Sequence, residues 1–117
     1  MIDKSRMLRE SMLELQLYEQ IEQAGLPLPE YQWPVCGHRA DFAWPTCQVC
    51  VEVQGGTWTR GAHNRAAGYA RDRMLSNRRQ LDGWLVLEFT GDHLNENAAL
   101  PLVRQALQKR EAQCTQS

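Results

Sequence analysis

The sequence predicts an α/β fold with a mixed sheet. Two helical patterns, 4–24 and 62–81, are separated by runs that read as strands. The valine-rich run Cys47 to Gln54 alternates, with Val49, Val51 and Val53 facing one way and Cys50, Glu52 and Gln54 the other. A short apolar run, Trp84 to Phe89, follows the second helix. Early strands joined by short turns, then a helix leading to a last strand, imply hairpins followed by a helical crossover.

The first helix spans 4–24, with Met7, Met12, Leu15, Tyr18 and Ile21 near helical spacing and Leu8 and Leu17 beside them. Gly25, Pro27 and Pro29 end it. Tyr31 to Val35 reads as a first strand, with Pro34 marking an edge or irregularity. Arg39 to Trp44 alternates, placing Ala40, Phe42 and Trp44 on one face and Arg39, Asp41 and Ala43 on the other. Pro45-Thr46 makes a turn into the valine-rich strand, which Gly55-Gly56 ends. The helix over 62–81 counts Ala62, Ala66, Tyr69, Ala70 and Leu75 among its apolar positions and stops at Gly83. Trp84 to Phe89 reads as a fully buried strand. Gly91-Asp92-His93 reads as an exposed turn, and 95–110 as a last helix with Leu100, Val103 and Leu107 in register.

With 117 residues, one domain is expected, its core within about 5–110 and a polar tail over 111–117. No apolar run reaches the roughly 18 residues of a membrane span, and the acidic N-terminal stretch does not read as a secretory signal. Four cysteines in a chain this long need not be staples, so a reduced, cytoplasmic setting is expected. The formal net charge of −1 excludes a protein that coats nucleic acid by bulk charge. That charge is unevenly spread. Residues 1–30 carry −3, 31–59 carry −1, 60–79 carry +5 and 80–117 carry −2. Eleven of the 13 basic residues are arginine, whose planar fork suits phosphate. The basic segment reads either as a solvated helix face or as a helix that contacts phosphates.

Asp41 and Glu52 are the acids of the 31–59 stretch. If their strands pair as a hairpin, the two carboxylates approach on one face with Gln54 beside Glu52, an oxygen-rich set suited to Mg²⁺ or Mn²⁺. The alternative is a solvent-facing acid on each strand. Cys36, His38, Cys47 and Cys50 offer a zinc set, but Cys47 and Cys50 fall on opposite faces of a strand, which favours buried thiols as apolar filler.

Arg39-Ala40-Asp41-Phe42-Ala43-Trp44-Pro45 is followed by Val51-Glu52-Val53-Gln54-Gly55-Gly56-Thr57-Trp58. His63-Asn64-Arg65, Asp72, Asn77, Gly83-Trp84 and Val86 to Thr90 come next, in that order. This series resembles the PD-(D/E)XK nuclease superfamily, and within it the small bacterial and phage-borne endonuclease-like domains related to very-short-patch repair endonucleases. The resemblance covers about 14–92. It implies a restriction-endonuclease-like αβββαβ core with a C-terminal helix, and metal-dependent hydrolysis of phosphodiesters, usually in DNA.

Carried onto this chain, the resemblance gives Asp41 the metal-binding aspartate slot and Glu52 the acid of the (D/E)xK pair. Gln54 stands at the lysine slot. The Val53 carbonyl and Glu14 complete the set for Mg²⁺ or Mn²⁺. His63 and Arg65 lie nearest the scissile group. From the charge of the 60–79 segment, Arg60, Arg65, Arg71 and Arg73 are expected to contact nucleic acid, with Trp58 as the candidate for base stacking. Two departures stand out. The first is the missing lysine, since Gln54 cannot carry charge and Leu75 occupies the helical position where related domains place a lysine; the second is Glu88, which replaces an arginine of the last strand. These departures motivate an alternative, a nucleic-acid-binding module on the same fold that has lost cleavage. A zinc-containing interaction protein is the second alternative. Cleavage of both strands of a duplex calls for two active sites or two visits, which a homodimer would supply.

Overall fold

The computed structural model describes residues 2–54 and 62–114, excluding the side chains of 62–67 and 112–114. The predicted first helix is two helices, α1 (Lys4–Glu10) and α2 (Met12–Gln23). Ser11 breaks it by adopting an extended backbone (φ −163°, ψ 115°). Its N–H closes α1 on the Met7 carbonyl at 2.7 Å, and its hydroxyl accepts from the Glu14 N–H at 3.2 Å. The break turns Met12 outward, 64% exposed, while Met7 stays buried. Glu14, Leu17, Tyr18 and Ile21 form the inner face of α2. Gly25, at φ +72°, ends α2, and the Leu26 N–H reaches back to the Ile21 carbonyl at 3.3 Å.

The sheet contains β1 (Glu30–Val35), β2 (His38–Trp44), β3 (Val49–Gln54) and β4 (Leu85–Thr90), in that spatial order. β1–β2 and β2–β3 are antiparallel, and β3–β4 is parallel across the helix α3 (Ala62–Leu81). A mixed α/β sheet with hairpins before a helical crossover is therefore present. Cys36 and Gly37, at φ +57° and +83°, form the two-residue turn between β1 and β2. The turn into β3 runs to Gln48 and takes Cys47 out of the predicted strand. The Cys47 and Gln48 N–H groups bond the Trp44 and Pro45 carbonyls, and Gln48 sits at φ +55°.

After Gly83 and β4, the short helix α4 (Gly91–Asn95) replaces the expected turn. Thr90 and His93 cap it reciprocally, His93 Nδ1 accepting from the Thr90 N–H at 3.0 Å. The last helix, α5 (Ala99–Cys114), buries Ala99, Val103, Ala106 and Leu107.

The larger core joins α1, α2, α4 and α5, through Met7, Leu17, Ile21, Leu94 and Val103, to one sheet face at Phe42, Val51 and Phe89. The opposite face holds a smaller cluster of Val35, Ala40, Ala43 and Cys50, with Trp84 and Val86 packed against it. Ala40 was expected with Phe42. Here it joins Ala43, because the β1–β2 pairing skips Gln32 and Asp41 and Gln32 sits at φ +57°. β4 is an edge strand and is half-buried rather than fully buried. Tyr69, expected among the apolar positions of α3, is 65% exposed. Among the described residues, no helix is long and apolar enough to cross a membrane.

Candidate acidic site and its arginine partners

The β2–β3 ladder pairs Trp44 with Val49, Ala43 with Cys50 and Phe42 with Val51, and then ends. At the next position side chains replace the ladder. Glu52 Oε1 accepts from the Asp41 N–H at 2.8 Å, and Asp41 Oδ2 accepts from the Val53 N–H at 2.7 Å. This reciprocal clasp supplies partners for backbone donors where the two strands cease pairing. It also holds both carboxylates at the wall of one pocket of about 120 Å³. Val53, Gln54, Asp72 and Leu75 line the same pocket. Leu75 is the position at which the resemblance expects a lysine.

Two arginines of α3 reach this region. Arg79 is 1% exposed. Its Nη1 lies 3.3 Å from Glu52 Oε2, its Nε donates to the Val35 carbonyl at 3.2 Å, and its Nη2 donates to the His38 carbonyl at 3.0 Å. It therefore ties α3 to the β1–β2 hairpin and to Glu52, a role that the segment charge did not reveal. Arg73, expected at phosphates, pairs with Glu88 at 2.5 Å and lies over the Tyr69 ring. Glu88 is the β4 neighbour of Glu52 and accepts from Gln54 Nε2 at 3.4 Å. Glu52 and Glu88 thus each have a specific arginine partner.

Burial pushes the Asp41 carboxyl up to about 8, helped by the charges of Glu52 and Glu14 and opposed by the Val53 N–H. Burial also raises Glu52, against the lowering effect of the Asp41 N–H and Arg79. On the other side of Asp41, Glu14 is buried and within hydrogen-bond reach of its carboxyl. The Tyr31 phenol shares its one proton between Glu14 and, at 2.9 Å, Glu10, while its ring packs on Phe42. Burial and these acceptors raise the Tyr31 phenol, which stays protonated. Sequence reading missed Tyr31, because nothing in a Tyr-Gln-Trp-Pro run signals an acid on a distant helix.

Among the described residues, no pairing of Asp41 with a lysine or arginine is seen, and no three His, Cys, Asp or Glu side chains form a ready metal set. The donors are two carboxylates whose burial is only partly compensated, with Val53 beside them. Hard oxygen donors in that state fit a divalent cation such as Mg²⁺ or Mn²⁺, with water completing its shell.

The structure does not gather the proposed zinc ligands. Cys36 is exposed at the hairpin turn, 3.8 Å from Asp82 Oδ2. Cys50 is buried in the smaller cluster, and Cys47 packs against the larger one on the opposite face. Burial pushes the Cys50 thiol up to about 11, which suits an inert filler. Arg71 is exposed on α3. Trp58 and Arg60, and the side chains of His63 and Arg65, lie outside the described residues.

Two curated relatives, both described as uncharacterized proteins of Mycobacterium tuberculosis (strains CDC 1551 and H37Rv), are each 36% identical to this chain over 73 residues. The match covers 58% of this chain and 26% of each relative, so the chain spans about a quarter of their length. No family model matches the chain, and no solved structure matches it.

Proposed function

We propose that this chain is a metal-dependent phosphodiester hydrolase of the PD-(D/E)XK type, acting on DNA. The observation that carries the reading is the reciprocal clasp, which sets two half-buried carboxylates side by side at one pocket. Asp41, Glu52 and the Val53 carbonyl would hold Mg²⁺ or Mn²⁺, with Glu14 behind Asp41. The ion, when bound, lowers the pKa of a water and offsets charge developing at phosphorus. Glu52 is held in place by Arg79, so its carboxylate needs little reorganisation to serve as a ligand. Gln54 can orient a water through its amide but adds no charge. Arg71, with Arg60 and Arg65 before it in the sequence, would hold the backbone phosphates, and His63 would stand near the scissile group. DNA as substrate rests on the sequence resemblance. A homodimer would bring two such sites to a duplex.

A second reading is favoured by one observation. The arginines at this site are already paired, Arg79 with Glu52 and Arg73 with Glu88, and Leu75 fills the lysine position. A site so neutralised suits a module that binds nucleic acid without cutting it. Labelled duplex and single-stranded DNA incubated with the purified chain in Mg²⁺ or Mn²⁺ separates the readings. Cleavage that EDTA abolishes supports the hydrolase. Salt-sensitive binding with no cleavage supports the binding module, and cleavage indifferent to EDTA contradicts the metal.

A further inference from the structure

The arginines of α3 fall into two classes. Arg73 and Arg79 face inward and are paired with Glu88 and Glu52. Arg71 and Arg78 face outward and have no acidic partner among the described residues. With Met74 and Leu75 they occupy positions i, i+3, i+4 and i+7, one stripe of the helix. Met74 is 52% exposed on that stripe.

The stripe forms one wall of a groove of about 510 Å³, and His38 at the start of β2 lies on the other side. This volume is within the range of small-ligand clefts, about 300–1,000 Å³. The far wall is fixed, since Arg79 bonds the carbonyls of Val35 and His38 on either side of the hairpin turn. Ala70, Met74 and Leu75 supply apolar surface, and His38, Arg71 and Arg78 supply planar or cationic groups. The groove also shares Asp72 and Leu75 with the pocket of Asp41 and Glu52, so the two cavities adjoin.

We propose that this groove takes an unstacked nucleotide next to the phosphodiester held at Asp41 and Glu52, making single-stranded or locally unpaired DNA the preferred substrate. The proposal rests on the phosphodiesterase reading. A base offers a flat apolar face to Met74 and Leu75 and stacks on imidazole or guanidinium planes. Arg71 and Arg78 match the flanking phosphates in charge. A fully stacked duplex keeps its bases from such a groove.

The test is fluorescence anisotropy with the full chain in EDTA at fixed salt. Three probes are compared: a single-stranded oligodeoxynucleotide, its fully paired duplex, and that duplex with one unpaired nucleotide. The first and third are expected to bind about tenfold tighter than the second, in line with the stacking of a single base. Met74→Glu, at an exposed site, is expected to bring all three probes to the duplex level, and Arg78→Ala to weaken all three. Arg104→Glu, on α5, is expected to leave binding unchanged, with circular dichroism checking the fold of each variant. Equal affinity for the three probes overturns the proposal, as does a Met74→Glu protein that keeps the wild-type preference. A self-associated wild type that Met74→Glu renders monomeric assigns the groove to a second copy and also overturns it. Binding in EDTA requires no cleavage. Probe preference without any metal-dependent cleavage therefore removes the hydrolase and keeps the groove, and cleavage without preference does the reverse.

Discussion

Arg79 is the most heavily committed polar side chain on the sheet face that carries the acids, and Arg79→Met tests what it holds. Methionine keeps much of the apolar stem and removes the guanidinium. The variant loses two charge-assisted hydrogen bonds, to the Val35 carbonyl at 3.2 Å and the His38 carbonyl at 3.0 Å. Such bonds contribute about 1.5 kcal/mol each at the lower end of their range. It also leaves Glu52 without its cation, and Glu52 is 22% exposed. Breaking a fully buried pair costs about 3–5 kcal/mol, so partial exposure reduces this loss to about 2 kcal/mol. These losses share one side chain and do not add fully, which gives a destabilisation of about 3–5 kcal/mol. For a domain of this size, that lowers Tm by about 10–20 °C. Urea unfolding followed by far-ultraviolet circular dichroism reads the change. Glu52→Gln in the Arg79→Met background is expected to recover at least about 1 kcal/mol, because no unpaired buried acid remains. A loss below about 1 kcal/mol for Arg79→Met, or a double variant whose losses simply add, would refute this account of the guanidinium.

Three further outcomes follow from the same geometry. Asp41 carries its proton up to about pH 8 in the folded chain, against an ordinary 3.8, so the folded state retains a proton that the unfolded chain releases. Its contribution to stability is therefore complete below about pH 4 and declines as pH rises toward 8; Asp41→Asn should flatten the Tm–pH profile, and parallel profiles would contradict the shift. Mg²⁺ or Mn²⁺ competes with that proton, so the rise in Tm on adding metal should grow over the same window and vanish in Asp41→Asn; equal stabilisation at every pH, or in both proteins, argues against a metal at this carboxyl. Tyr31→Phe keeps the ring on Phe42 but deprives the buried Glu14 of its donor, and urea titration should show a loss of about 1–2 kcal/mol, whereas a change under about 0.5 kcal/mol would mean water replaces the phenol.

Local periodicity was a good guide wherever one face of an element decides its fate. The helix expected over 62–81 is Ala62–Leu81, and Val49, Val51 and Val53 face the larger core while Cys50 faces the smaller. The pairing of β2 with β3 needed only that alternation and a turn near Pro45. What escaped the sequence depends on residues far apart in the chain. Ser11 can sit inside a helix or cap two, and the choice lets Met7 pack in the core while α2 turns Glu14, Leu17 and Tyr18 inward. Arg79 looks like its neighbour Arg78 in a charge count. Only the approach of Val35, His38 and Glu52 separates a buried tie from an exposed cation. The +5 segment therefore overstates the free charge on α3, since Glu52 and Glu88 offset two of its arginines. Asp41 and Glu52 were legible as candidates by residue type and strand position, but their clasp across the end of the ladder was not.

Asp41 and Glu52 are proposed to form a metal-dependent phosphodiester centre. Nicking of supercoiled plasmid by the purified chain in Mn²⁺, beside the isosteric variants Asp41→Asn and Glu52→Gln, tests it most directly. Wild-type nicking is expected, and either substitution should reduce it at least about a hundredfold, the order expected for loss of a group that acts on the reacting centre. Equal nicking by all three proteins, or none by a wild type that binds DNA and Mn²⁺, would contradict it.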